Sequence, residues 1–243
     1  MRRRFFIEKF DGQRAVLRGE TAEHLGRVLR AEPGQLYELS DGEKVWLGRV
    51  EHVGRTGRSG ASIEFELVEP VAIEESKLRI RLLLSIVKFD RFEWCLEKAT
   101  ELGVREIFPL AASRSEKALL QAAAKRAERW RRILLESAQQ ARCLRPPDLM
   151  PVTKPEEAFS ICNGTKILLS ERREARRIRE ALRGEKTQQV TLAIGPEGGW
   201  TNDEFTAAEK CGFREASLGK QILRTETAVI ASLSIARFAL ETN

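Results

Sequence analysis

The chain has 243 residues, 42% hydrophobic and 32% charged, with 42 Lys/Arg against 36 Asp/Glu. That balance is too apolar for a disordered chain and long enough for one large core or two smaller ones. No apolar run approaches the roughly 20 residues of a membrane helix. Four scattered cysteines without a CxxC pair, and only two histidines, exclude an ordinary zinc cluster.

The first segment, Met1 to Glu8, has basic residues but no apolar stretch, so no secretory signal is expected. With the unpaired cysteines, this reads as a reduced, cytoplasmic protein. Nine of the 17 glycines precede residue 61 and separate short segments of strand-like alternation. These are Ala15–Arg18, Gln35–Leu39, Lys44–Leu47 and Ser62–Leu67, with Asp41-Gly42 as a hairpin turn and a short helix over Thr21–Leu29. Residues 1–72 therefore read as a small β-barrel with 12 basic and 12 acidic residues, and Val71–Lys77 as the linker.

Residues 73–243 alternate strand and helix. Strands are predicted at Leu78–Val87, Val104–Pro109, Thr165–Ser170, Gln189–Gly195 and Arg214–Leu218. Helices are predicted from Asp90, as cap, to Leu102, over Lys117–Arg142, Arg172–Leu182 and Thr201–Lys210, and over Glu226–Leu240 with Thr225 as cap. Thr201 and Glu204 form a capping-box pattern. Five strands each followed by a helix imply an α/β fold with a parallel sheet covered on both faces.

Charge concentrates between Arg114 and Arg145, where nine basic residues face three acidic ones. Lys125, Arg126, Arg129 and Arg132 share one helical face. Such a stripe either neutralises nucleic-acid phosphates or is a solvated helix surface.

Ligands of open α/β sheets bind beyond the carboxyl ends of the strands. Two such ends stand out. Ile194-Gly195-Pro196-Glu197-Gly198-Gly199-Trp200-Thr201 is nearly stripped of side chains, so a flat ligand can approach its backbone. Leu218-Gly219-Lys220-Gln221-Ile222-Leu223-Arg224-Thr225-Glu226-Thr227-Ala228 turns at Gly219 into the last helix, whose first N–H groups are free for a ligand. GxGxxG and GxxxxGK[ST] are both absent, and neither histidine is near these ends, which argues against dinucleotide folds, P-loops and histidine-based hydrolases.

These two blocks together resemble the RsmE family of SPOUT methyltransferases, which methylate N3 of a uridine in small-subunit ribosomal RNA. Arg4-Phe5-Phe6, His24 through Val28-Leu29-Arg30, Lys88, Glu101–Val104, Arg114-Ser115 and Gln140 with Arg142 ahead of Pro147 fit the same family. Residues 148–190 carry little of the pattern. The resemblance implies a PUA-like N-terminal barrel for RNA, a parallel sheet with a C-terminal trefoil knot, and a homodimer with its active site near the subunit interface. It also implies S-adenosylmethionine as cofactor, held by Leu169, Ser170, Gly195, Pro196, Glu197, Gly198, Gly199, Leu218, Gly219, Ile222, Leu223, Arg224, Thr225, Glu226, Thr227 and Ala228. The partner is then 16S rRNA, with no metal and no membrane involved.

Uracil N3 becomes nucleophilic on losing its proton, and a fixed guanidinium would stabilise the charge left on the flanking oxygens. Arg224, beside the cofactor motif, is the candidate catalytic group; its alternative is an ion pair with Glu226 or Glu197. Arg2, Arg3, Arg4, Arg30, Lys88, Arg114, Arg126, Arg129 and Arg142 are the candidate RNA contacts. Rival readings are a SPOUT enzyme acting on tRNA or on a ribose 2′-hydroxyl, and a non-catalytic RNA-binding assembly factor.

Overall fold

A computed structural model describes residues 3–56, 60–74, 76–172 and 174–241. The chain divides into two units. One is Met1–Glu75 with Ala138–Pro146, the other Ser76–Ser137 with Pro147–Asn243.

The first unit is a five-stranded sheet in the order β1-β3-β4-β5-β2. Its strands are β1 (Arg4–Phe6), β2 (Arg14–Arg18), β3 (Leu36–Ser40), β4 (Val45–Thr56) and β5 (Gly60–Pro70). β1 pairs parallel with β3, and the other pairs are antiparallel. The Asp41-Gly42 turn forms as expected, with Asp41 Oδ1 accepting from the N–H groups of Glu43 and Lys44 at 2.9 and 2.8 Å. Alternation buries Phe5, Leu17, Leu39, Val50, Ile63 and Phe65 on one face. The helix expected at Thr21–Leu29 is instead α1 (Gly19–Glu23) running into a π-helical turn, His24–Val28.

Arg4 is buried, 8% exposed, against Glu38. Its Nε and Nη2 donate to Glu38 Oε2 at 3.1 and 2.9 Å, and its Nη1 donates to the Arg142 carbonyl at 2.7 Å. The Ser40 hydroxyl donates to the Leu144 carbonyl at 2.6 Å. Arg142 is left-handed, φ +56°, and its Nη1 is 3.6 Å from Glu38 Oε1. The 138–146 segment is thus stitched to β1 and β3 by backbone acceptors and a buried ion pair.

In the second unit the strands pair in parallel throughout the described residues, in the order β10-β12-β9-β11-β6-β7-β8. The five predicted strands are β6 (Arg79–Ser85), β7 (Val104–Leu110), β9 (Thr165–Leu169), β11 (Gln189–Ile194) and β12 (Arg214–Ser217). Two-residue edge strands, β8 (Asp148–Leu149) and β10 (Arg176–Arg177), flank them, short enough to offer little template for further pairing. Buried aliphatic residues of β6, β9 and β11 face α2 (Phe89–Glu101) and α8 (Thr225–Leu240) across one core. α5 (Pro155–Ser160) and α7 (Asn202–Lys210) close a second cluster around Phe159 and Phe213.

Four helix expectations are corrected. Lys88, and not Asp90, is the N-cap of α2, and Arg224 precedes α8, with Thr225 as its first residue. The helix expected over Lys117–Arg142 is α3 (Lys117–Ala123), a 3-10 turn, and α4 (Ala127–Gln140). At that tightened turn the Arg126 guanidinium stacks 4.7 Å from the Phe89 ring centroid. The helix expected over Arg172–Leu182 shrinks to α6 (Ile178–Ala181), because residues 172–177 have no apolar stripe to bury. Arg176 and Arg177 pair with Ala216 and Ser217 instead.

Candidate active site

β9 lies between β11 and β12, so the chain leaves β11 on one side of β9 and returns as β12 on the other. Ligands of open α/β sheets bind at such switch points, outside the carboxyl ends of the strands. Three loops meet there, one from each strand, around a cavity of about 350 Å³. That size is within the roughly 300–1,000 Å³ range of small-molecule sites.

The loop after β9 presents Leu169, Ser170 and Glu171. The Ser170 N–H donates to the Ala216 carbonyl at 2.9 Å, and its hydroxyl accepts from the Arg172 N–H at 3.0 Å. The loop after β11 presents Gly195 to Trp200. It turns through a Gly199 N–H to Pro196 carbonyl bond of 2.8 Å, with Gly199 at φ +68°, a conformation side chains resist. Trp200, 4% exposed, donates its indole N–H to the Leu169 carbonyl at 3.0 Å and so ties the first two loops together. A Cβ on Gly195 would stand 3.1 Å from Trp200 Cε2, and one on Gly198 would stand 3.2 Å from Arg114 Cβ. The loop after β12 presents Leu218, Gly219, Gln221, Ile222, Leu223 and Arg224. Ile222 is 84% exposed, an apolar side chain at the rim.

Of the residues carried as cofactor candidates, Leu169, Ser170, Gly195 to Gly199, Leu218, Gly219, Ile222 to Thr225 and Ala228 line this cavity. Glu226 and Thr227 do not, because the first turn of α8 rotates them away from Thr225 and Ala228. Among the described residues Glu226 Oε2 is buried without a hydrogen-bond partner. The Cys95 thiol is pushed up to about 12 by burial, and by the carboxylates of Glu226 and Glu197. Glu171, Ile194, Trp200 and Gln221 are walls that sequence reasoning missed as such. The signal for Trp200 was its place at the end of the glycine loop, where a large ring can fill the space Gly195 leaves.

The charged groups are partly committed. Glu197 pairs with Arg91 at 3.1 Å, and Arg114 donates to the Gly198 carbonyl at 2.7 Å. Among the described residues Arg224 makes no ion pair, so neither Glu226 nor Glu197 holds it. It stands exposed on the cavity wall.

The other basic candidates are scattered. Arg3, Arg30, Lys88 and Arg114 are exposed, whereas Arg4 and Arg142 turn toward Glu38. With its guanidinium consumed internally, Arg4 is corrected from an RNA contact to a structural residue. Arg129 donates two hydrogen bonds to Glu93, each 2.8 Å, and Arg126 is 3.5 Å from the same carboxylate, which offsets part of the stripe's charge. Arg2 lies outside the described residues. Among the described residues no group of three His, Cys, Asp or Glu is placed to hold a metal, and no helix is long and apolar enough to cross a membrane.

Known proteins match this arrangement. A family model for the RNA methyltransferase domain matches residues 74–237. A ribosomal RNA small subunit methyltransferase E from Mesomycoplasma hyopneumoniae is 36% identical over 171 residues, 70% of this chain and 74% of the relative. The chain belongs to the ribosomal RNA small subunit methyltransferase E family. A family member from Synechocystis sp. is 32% identical over 227 residues, 90% of this chain and 71% of the relative. The crystal structure of a member from Neisseria gonorrhoeae bound to S-adenosyl methionine is 30% identical, with a TM-score of 0.86 over 99% of this chain and 98% of that one.

The residues present here fit that cofactor. The absence of Cβ at Gly195, Gly198 and Gly199 lets Trp200, Arg114 and Glu171 pack against the loop backbone and shape the cavity wall, and apolar Leu169, Ile194 and Leu218 supply contact area. Ser170, Thr225 and the amino terminus of α8 place polar groups on the same wall, which suits a ligand with polar ends.

Proposed function

We propose that this chain transfers a methyl group from S-adenosylmethionine to N3 of a uridine in 16S rRNA of the small ribosomal subunit, acting in the cytoplasm as a homodimer. The single observation that carries the proposal is the three-loop cavity at the β9 switch point, walled by glycine backbone, in a chain of this family.

The cofactor supplies a methyl group already activated on a sulfonium, so the protein's work is orientation and charge stabilisation. Loss of the N3 proton spreads negative charge over the uracil oxygens. Arg224, cationic and free of any carboxylate partner among the described residues, is the group that stabilises it. N3 lies on the pairing edge, so the base must be unpaired or flipped to reach the cavity. The rim around Ile222 and Leu223 offers an apolar surface for an extruded pyrimidine.

Finer features have their own support. The five-stranded sheet of the first unit suits a PUA-like RNA-binding barrel. A trefoil knot agrees with β12 lying beyond β9 while α8 returns to pack on α2 and β11. A homodimer agrees with the outer face of α8. There Thr227, Ile230, Ala231, Ser234, Ile235 and Phe238 carry no charge over three turns, and Phe238 is 93% exposed. Arg3, Arg30, Lys88 and Arg114 remain the exposed candidates for rRNA phosphates.

The test is incubation with labelled S-adenosylmethionine and unmodified small subunits, followed by mass identification of the modified nucleoside. N3-methyluridine is expected, and its loss in Arg224→Ala with cofactor binding retained by calorimetry. A methylated ribose or tRNA product would replace the substrate assignment, and unchanged turnover would remove Arg224 from the mechanism.

A further inference from the structure

Glu204, in the first turn of α7, is wholly buried at 0% exposure, and among the described residues every group that donates to it is neutral. Its Oε2 accepts from the Thr201 N–H at 2.7 Å and the Thr201 hydroxyl at 3.0 Å, which completes the capping box. Its other oxygen does something a capping box does not require. Oε1 accepts from the Ser113 N–H at 2.8 Å, a backbone group 91 residues away in the turn that follows β7. That turn is held from its other side by an Ala112 carbonyl to Ser115 N–H bond of 3.0 Å, and by the Ser115 hydroxyl donating to the Ile86 carbonyl at 2.8 Å. Between these two anchors stands Arg114, whose Nη1 donates to the Gly198 carbonyl at 2.7 Å and whose side chain lies against the Gly198 backbone.

We infer that Glu204 is a positioning residue for the cofactor site, holding the Ser113 turn so that Arg114 fixes the carbonyl of Gly198 in the glycine loop. A buried carboxylate is costly unless its oxygens are satisfied. Both are satisfied here by joining two loops. A simple cap would leave Oε1 to water. The inference rests on the reading of the cavity as the S-adenosylmethionine site and goes beyond it, because neither Glu204 nor Ser113 lines the cavity.

The experiment measures S-adenosylmethionine affinity by calorimetry and melting temperature by calorimetric scanning on four full-length variants. In Glu204→Gln the Ser113 N–H faces either the side-chain NH₂ or a neutral amide oxygen, so its tie is lost or weakened in both orientations. Its dissociation constant is expected to rise about tenfold, the scale of a lost charge-assisted hydrogen bond. Arg114→Met should cost a similar factor, and the double variant should lose little more than either alone, because both act through Gly198. Thr201→Val, which removes the cap hydroxyl but leaves the Glu204 bonds from the Thr201 and Ser113 N–H groups, should melt lower yet bind within about twofold of the parent chain.

Wild-type affinity in Glu204→Gln, losses that multiply in the double variant, or an equal loss in Thr201→Val would each overturn the inference. Arg114 is exposed, so Arg114→Met tests the last link even where Glu204→Gln does not fold. Wild-type affinity in that variant also overturns it. Failure of the unaltered chain to bind S-adenosylmethionine would instead refute the cofactor-site reading.

Discussion

Replacing Gly195 by alanine probes the wall between two of the loops. The new Cβ would stand 3.1, 3.2 and 3.3 Å from three atoms of the Trp200 indole. The ring cannot retreat freely. It is buried, its N–H is committed to the Leu169 carbonyl at 3.0 Å, and its other side meets Phe159 with centroids 5.9 Å apart. Forcing a methyl group into such a contact costs about 1–3 kcal/mol. In a unit of this size that lowers the melting temperature by roughly 2–4 °C per kcal/mol. Gly219→Ala is the control, since its Cβ would meet Arg177 Nη1 at 3.5 Å and Gln221 Oε1 at 3.8 Å, ordinary contacts with flexible groups. Thermal scanning of both variants, followed by calorimetric titration with S-adenosylmethionine, should show Gly195→Ala less stable and weaker in binding, while Gly219→Ala keeps its melting temperature. A Gly195→Ala protein that melts and binds like its parent would refute the argument that this glycine is fixed by the indole.

Trp200→Phe removes the donor to the Leu169 carbonyl and should cost about 1–3 kcal/mol in urea unfolding, with weaker cofactor binding; a loss in stability without any change in affinity would separate Trp200 from the site. Glu38→Gln leaves the buried Arg4 guanidinium without its counter-charge and should destabilise the protein by about 3–5 kcal/mol, while the paired change Arg4→Leu with Glu38→Leu should recover much of that. Near-neutral behaviour of the single variant would show that the pair is solvated. With its thiol raised to about 12, Cys95 should resist iodoacetamide at pH 8 in the native protein and react only after unfolding. The same shift means that the neutral buried thiol contributes stability below pH 9, and that this contribution is lost as the pH rises toward 12. Native labelling of Cys95 as fast as that of the half-buried Cys211 would contradict both statements.

Much of the second unit was legible in the sequence because its strands are apolar runs bounded by Gly, Pro or charge. Leu82-Leu83-Leu84 and Ile167-Leu168-Leu169 read as buried parallel strands and are so. The two glycine-bearing blocks were visible for the same local reason, and both line the cavity. What escaped notice depends on distance. Nothing near Arg4 announces that its partners are Glu38 and the carbonyl of Arg142, and nothing near Glu204 points to Ser113. Residues 172–182 went wrong in the other direction. Their composition suits a helix, but residues 172–177 carry no apolar stripe, so only Ile178–Ala181 turn helical and the edge of β12 took up Arg176 and Arg177. The basic face from Lys125 to Arg132 was found as a pattern, while the Glu93 carboxylate that meets it came from another helix.

The division of the chain also bears on its synthesis. The carbonyls of Arg142 and Leu144, which accept from Arg4 and Ser40, are translated long after β1 and β3. While the ribosome is still making the intervening helices, Arg4 already has the Glu38 carboxylate, but its Nη1 and the Ser40 hydroxyl lack the carbonyls that the later segment will supply. The final ordering of the amino-terminal sheet therefore waits until more than half of the polypeptide has emerged, and cutting the chain after residue 75 yields a fragment that lacks part of its own scaffold.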